Sequence, residues 1–190
     1  GLLLPSLKNA RNKALSMQCL NTERQYGLMF ANYSNDYDGF LPANQTASGG
    51  GYYNWFHPLQ LGAYANCPPE WNNIQRKFPC PSKELSEGEA GYYYGTWNTS
   101  GSSPPVGYKI SIFKTPSKTL YFLDYVRRNF YGSSYYFDGT RRENTEPQYV
   151  PFGRHSNGCN VLYVDFHAEY LKRDVFLKLI LTDECFVKIR

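Results

Sequence analysis

At 190 residues, 42% of them hydrophobic and 19% charged, the chain is long enough to bury a core of its own within one domain, 1–190, without metals or disulfides to brace it. Its formal charge of +4, from 20 basic and 16 acidic residues, comes with no lysine-rich tail and no basic stripe of the kind that grips phosphates, so nucleic acid is excluded as the expected partner. The pairs Arg127-Arg128 and Arg141-Arg142 read as solvated loop charges.

Much of the apolar mass is aromatic, with 18 Tyr and 12 Phe, a composition suited to sheets that keep one edge of each ring wet. The five cysteines are Cys19, Cys67, Cys80, Cys159 and Cys185. An odd number leaves at least one thiol outside any pairing within the chain. Cys67 and Cys80, each followed by proline, form the most plausible disulfide in an oxidising compartment. No CxxC exists, which disfavours structural zinc. Nowhere does an apolar run approach the ~20 residues needed to span a bilayer. The opening Gly1-Leu2-Leu3-Leu4-Pro5 has neither a basic n-region nor a cleavage box, and three leucines at the start read as the lower part of a longer helix.

Residues 2–35 show helical spacing. Leu3, Leu7, Ala10, Ala14, Met17, Leu20, Leu28 and Ala31 recur at three- and four-residue steps between charged and amide side chains, which predicts one long amphipathic helix with that stripe to bury. Ser34-Asn35-Asp36-Tyr37-Asp38-Gly39 is a cluster of turn formers that ends it. A loop is expected over 40–51, because Gly49-Gly50-Gly51 suits no regular element. A short helix or turn follows over 54–65, then a proline-rich loop through Cys67 and Cys80. Strands are predicted at 90–97, 118–125, 159–165 and 167–172. The polar, aromatic-studded stretch 126–148 reads as a long excursion between strands. One N-terminal helix followed by an antiparallel sheet with long irregular loops, occupying 36–190, is an α+β arrangement.

Only His155, Asp165 and His167 suggest chemistry. Alternation along a strand puts Asp165 and His167 on one face, and His155 can approach from the preceding segment. Two imidazoles and a carboxylate are able to bind a divalent metal or to act as acid and base. The plainer reading is that Asp165 caps a tight turn and the histidines make structural hydrogen bonds. No nucleophile elbow, dinucleotide fingerprint or phosphate loop accompanies them, so no catalytic residue, metal or cofactor is assigned. Asn35-Asp36-Tyr37-Asp38-Gly39 has the opening of a calcium loop without its twelfth-position carboxylate. Tyr92, Tyr93, Tyr94, Trp97, Tyr131, Tyr135 and Tyr136 are able to stack on sugar rings, which makes a cell-surface carbohydrate-binding module the alternative function.

Five landmarks resemble one family. Leu2-Leu3-Leu4-Pro5-Ser6-Leu7-Lys8-Asn9-Ala10-Arg11, then Cys19-Leu20-Asn21 and Gln25-Tyr26-Gly27-Leu28, look like the second half of the N-terminal helix of bacterial prepilin-type proteins. Trp55-Phe56 with Leu59 and Tyr64, then Phe78-x-Cys80-Pro81-Ser82, and Pro116-Ser117-Lys118-Thr119 with Asp124, follow in that family's order. Arg154, His155, Asn160, Asp165 and His167 resemble its C-terminal signature of His, nine residues and Asp-Gly. Two departures stand out: Phe166 replaces the Gly, and Thr22 to Arg24 replace an Asn-Leu-Lys. Gly takes positive φ at such a turn cheaply and Phe does not, so the turn is expected to be reshaped.

The resemblance implies a type IV pilin-like fold, with the long helix packed on an antiparallel sheet. It implies a methylated prepilin whose leader is cut by a dedicated peptidase, and a non-enzymatic subunit of a pseudopilus in a type II secretion or related system. The family's partners are other pilin-like subunits, and its members are anchored in the inner membrane with the globular part periplasmic or extracellular. Under that reading Leu3, Leu4 and Leu7 pack against neighbouring subunits, while His155, Asp165 and the Asn157-Gly158 turn hold the C-terminal strands in register.

Overall fold

The computed structural model describes residues 3–42, 45–48, 51–54, 64–65, 109–123, 155 and 157–181. Helix α1 spans Leu3–Asp36, 34 residues, within a residue of the predicted bounds at each end. Its first half is rich in Leu, Ala, Lys, Asn and Arg, and its one proline, Pro5, falls in the first turn, where a missing N–H costs nothing. The end is a left-handed cap. Asp38 and Gly39 take φ of 50° and 81°, and the Gly39 N–H reaches back five residues to the Ser34 carbonyl at 2.8 Å, the longer bond of a Schellman motif.

The next strands are a hairpin, β1 (Gln45–Ser48) and β2 (Gly51–Asn54), paired antiparallel with Ser48 opposite Gly51. This corrects the loop expected over 40–51: two residues including Gly between short extended runs are a hairpin signal as much as a loop signal. Of the element expected over 54–65, Asn54 closes β2 and Tyr64 and Ala65 lie in a turn. The strand at 90–97, the stretch 126–148, Arg154 and the Cys67–Cys80 pair lie outside the described residues.

A main sheet follows, formed by β3 (Leu120–Leu123), β4 (Gly158–Tyr163) and β5 (Ala168–Lys172), antiparallel and in the order β3-β4-β5. Its middle strand is buried along its whole length, which accounts for the unbroken apolar run Val161-Leu162-Tyr163-Val164. A second helix, α2 (Arg173–Leu181), follows β5 directly and packs against β4 and β5. The sequence reading missed it, although Asp174 in the first turn and buried Phe176 fit a helix.

Only the second half of α1 is seated. Cys19, Leu20, Glu23, Tyr26, Met29, Phe30 and Tyr33 are buried, and Cys19, Tyr26, Met29, Phe30 and Tyr33 share one core cluster with Tyr121, Leu162 and Val164. Phe30 meets the Tyr121 ring edge-on, centroids 4.9 Å apart. The stripe that was expected to be buried is not. Leu20 is buried and Ala31 half-buried, but Leu7, Ala10, Ala14, Met17 and Leu28 are exposed. At 3.6 residues per turn these exposed positions lie roughly 180° from the Cys19, Glu23, Tyr26 and Phe30 face. Aromatic and small side chains took the core, and the aliphatic spacing marked the opposite side.

Gly27 sets how closely the helix approaches the sheet. A Cβ there would stand 2.6 Å from the Phe166 carbonyl oxygen and 3.0 Å from Leu162 Cδ1, so only a hydrogen fits between backbone and backbone. Ordinarily Gly→Ala within a helix stabilises by roughly 0.5–1 kcal/mol, whereas forcing a methyl against a fixed carbonyl costs about 1–3 kcal/mol. We therefore expect Gly27→Ala to lower the urea-unfolding midpoint, while Asn21→Ala, on the exposed side of the same helix, leaves it level or raises it. An unchanged midpoint for Gly27→Ala would mean that α1 rides freely on the turn.

Candidate functional site

Asn160, Asp165 and His167 lie on the β4–β5 hairpin, and His155 precedes it. The Phe166 N–H donates to the Tyr163 carbonyl at 2.9 Å, and the Tyr163 N–H to the His167 carbonyl at 3.0 Å. This is a three-residue connection whose last member takes the left-handed conformation that favours glycine. Phe166 stands there at φ 69°. Contrary to the sequence expectation, Phe takes the positive φ itself, a backbone state that costs a bulky residue on the order of 1–3 kcal/mol. Its half-buried ring packs on the core beside α1, and that contact offsets part of the strain.

Around this turn four side chains form one chain of contacts. His167 Nδ1 lies 2.5 Å from Asp165 Oδ1, which also accepts the His167 backbone N–H at 3.3 Å. The imidazole stacks on Tyr163, centroids 4.3 Å apart and planes 8° from parallel. Tyr163 in turn donates its hydroxyl to Glu169 Oε1 at 2.5 Å. A carboxylate that orients an imidazole is the geometry of a general base or of a metal-ligating histidine. Yet His155 is fully buried at the foot of β4, whereas Asp165 and His167 are exposed at the tip. Among the described residues no three His, Cys, Asp or Glu side chains converge on a point where a cation would sit. The structure brings together two of the three candidates, and what they do together is hold the turn.

Asn160 is fully buried on β4, on the same strand face as Leu162, and its amide finds no hydrogen-bond partner among the described residues. Asn157, at φ 67°, accepts the Arg173 N–H at 3.0 Å and thereby closes the open end of the hairpin onto the start of α2. A Cβ at Gly158 would collide with the Tyr170 hydroxyl and the Leu171 carbonyl. Asn157 and Gly158 organise backbone.

The turn after α1 spends its carboxylates on protein partners. Asp36 Oδ2 accepts the Tyr64 hydroxyl at 2.7 Å, and Asp38 Oδ2 pairs with Lys109 Nζ at 2.7 Å. Lys109 also sits 5.3 Å from the Phe40 ring centroid, and Ile110 N–H donates to the Gly39 carbonyl, so this calcium-loop-like sequence is a staple between α1 and residues 109–113. Tyr33 stacks on Tyr37 and meets Tyr64 edge-on. Burial, then the charge of Tyr37, pushes the Tyr33 phenol up. In Tyr64 burial and the Asp36 hydrogen bond act the same way, and in Tyr121 burial acts first.

Cys19 and Cys159 are fully buried. The other cysteines, and Tyr92, Tyr93, Tyr94, Trp97, Tyr131, Tyr135 and Tyr136 of the sugar-stacking alternative, lie outside the described residues. Of the three leucines expected to pack against neighbours, Leu4 and Leu7 are 77% and 68% exposed; the side chain of Leu3 is outside the described set. No protein-family model, no curated protein and no solved structure matches the chain.

Two measurements separate these roles. His155→Ala removes a fully buried ring and should cost about 2 kcal/mol or more; Asp165→Ala removes exposed hydrogen bonds and should cost about 1 kcal/mol or less, both read from thermal unfolding. The tyrosine shifts give an alkaline limit. A phenol whose folded pKa is raised contributes stability in full below its ordinary value of 10.0 and loses it as pH rises through the folded value. Stability should fall steadily above pH 10.0, with tyrosinate absorbance appearing in step with unfolding.

Proposed function

We propose that the chain is a non-enzymatic structural subunit of a pilin-like envelope assembly, the pseudopilus of a type II secretion or related system. In this reading it is held at the inner membrane through a segment upstream of α1, with the sheet on the periplasmic or extracellular side. One observation carries the proposal. The second half of α1 is seated on an antiparallel sheet, whereas its first half stands clear of the sheet with Leu4, Leu7 and Met17 exposed. A helix about four turns longer than its own fold requires is a contact element for something else. Heterologous packing, in which that half meets a different surface of the next copy, produces open filaments. Asp165 and His167, joined with Tyr163 and Glu169 at the turn, suit a scaffold role.

A photo-cross-linking amino acid placed at Leu7 should give products of twice the chain mass in concentrated protein and in envelope fractions. One placed at Lys172, exposed on β5, should give far fewer. A chain that stays monomeric with probes at both positions would refute the reading.

A further inference from the structure

The exposed half of α1 is charged as well as apolar, and its charges are all of one sign. Before Glu23 the chain has Lys8, Arg11 and Lys13 and no acidic residue. These three carry +3 of the formal +4, since the remaining 17 basic and 16 acidic residues nearly cancel. All three are exposed. Their placement is regular. Leu7, Ala10, Ala14 and Met17 fall within a sector of roughly 80° of the helix surface, and Arg11 and Lys13 lie roughly 40° beyond its two edges. Lys8 shares the far side with Asn9, Asn12 and Ser16. A narrow apolar strip bordered by cations is the pattern of a helix that lies in a lipid interface, with its long side chains reaching to the headgroups.

We infer that residues 4–18 of α1 dock lengthwise on an anionic phospholipid surface. The alternative occupant of the same strip, an identical strip on a second copy, sets Arg11 and Lys13 against their own like charges, whereas lipid phosphates complement them. Among the described residues no helix is long and apolar enough to cross a membrane, so this segment lies along the interface and does not span it. The inference deepens the envelope reading above: it names what the free half of α1 rests on before a neighbouring subunit takes it up.

The test is co-sedimentation of the chain, at concentrations where it is monomeric, with vesicles of phosphatidylglycerol and phosphatidylcholine in equal parts, compared with phosphatidylcholine alone. The two bordering cations, Arg11 and Lys13, are worth on the order of thirtyfold in partitioning to an anionic surface, and Lys8 on the far side adds less. The expected result is that preference on anionic vesicles, its loss in Lys8→Gln/Arg11→Gln/Lys13→Gln, and its decay with added salt. Leu7→Gln/Met17→Gln should weaken binding about tenfold by removing the apolar part. Circular dichroism and unfolding midpoints matching the parent chain keep a null result from being misfolding, because all five side chains are exposed. Equal binding to both vesicle types, or undiminished binding by the triple variant, overturns the inference. Absence from anionic vesicles together with cross-links at position 7 overturns it while leaving the assembly reading in place; vesicle binding without cross-links does the reverse.

Discussion

The close approach of the Gly27 backbone to the Phe166 carbonyl is the constraint on which the rest depends. Helix and sheet can meet at this distance only because one has no side chain there and the other offers backbone instead of a ring. Once they do, Phe30 reaches Tyr121, the buried face of α1 closes over Leu162 and Val164, and the hairpin tip is held at an angle that keeps Phe166 in its left-handed state. The Asp165–His167–Tyr163–Glu169 chain then braces the tip from the outer side. Chemistry-bearing residue types are here used as struts: the carboxylate fixes the imidazole, the imidazole covers the phenol, and the phenol ties the turn to β5.

The same constraint divides α1 in two. Seating rests on aromatic side chains on one face, which begin at Tyr26, and the buried residues of the helix begin at Cys19. Ahead of that point the helix is maintained by its own backbone and by good helix formers, which suffices for a helix continuous with a seated half although it would be marginal alone. A fold that needed only to cover its sheet would have no use for residues 4–18. Their apolar strip and single-signed charge are therefore addressed outward, and both functional proposals stand on that asymmetry.

Sequence patterns revealed the elements better than the faces. The end of α1 was legible because Asp38-Gly39 supplies the left-handed residues a cap needs, and β3, β4 and β5 because apolar and β-branched residues cluster there between turn formers. The buried side of α1 was not legible. Aliphatic periodicity pointed to Leu7, Met17 and Leu28, while the core was built from Cys19, Tyr26, Phe30 and Tyr33, whose amphipathic rings and small side chain carry a weaker signal. Buried Glu23 ran against the pattern altogether, as charged residues are seldom fully buried. At the signature, spacing correctly put Asp165 beside His167 but could not tell that His155 lies at the other end of the strand, buried. Phe166 shows the reverse limit: local preference argued against a left-handed Phe, and tertiary packing overrode it.

The placement of Gly27 and Phe166 also orders events during synthesis. Their positions differ by 139, 166 less 27, and the strands that form the seat of α1 run from Gly158 to Lys172. A ribosome releasing the chain from its N-terminus leaves Tyr26, Phe30 and Tyr33 without their core partners Leu162 and Val164 until these have emerged. Closing a contact of such separation is slow, because loop entropy must be lost before any burial rewards it. The nascent helix thus lacks Leu162 and Val164, one part of its cover, for most of the synthesis of residues 1–172.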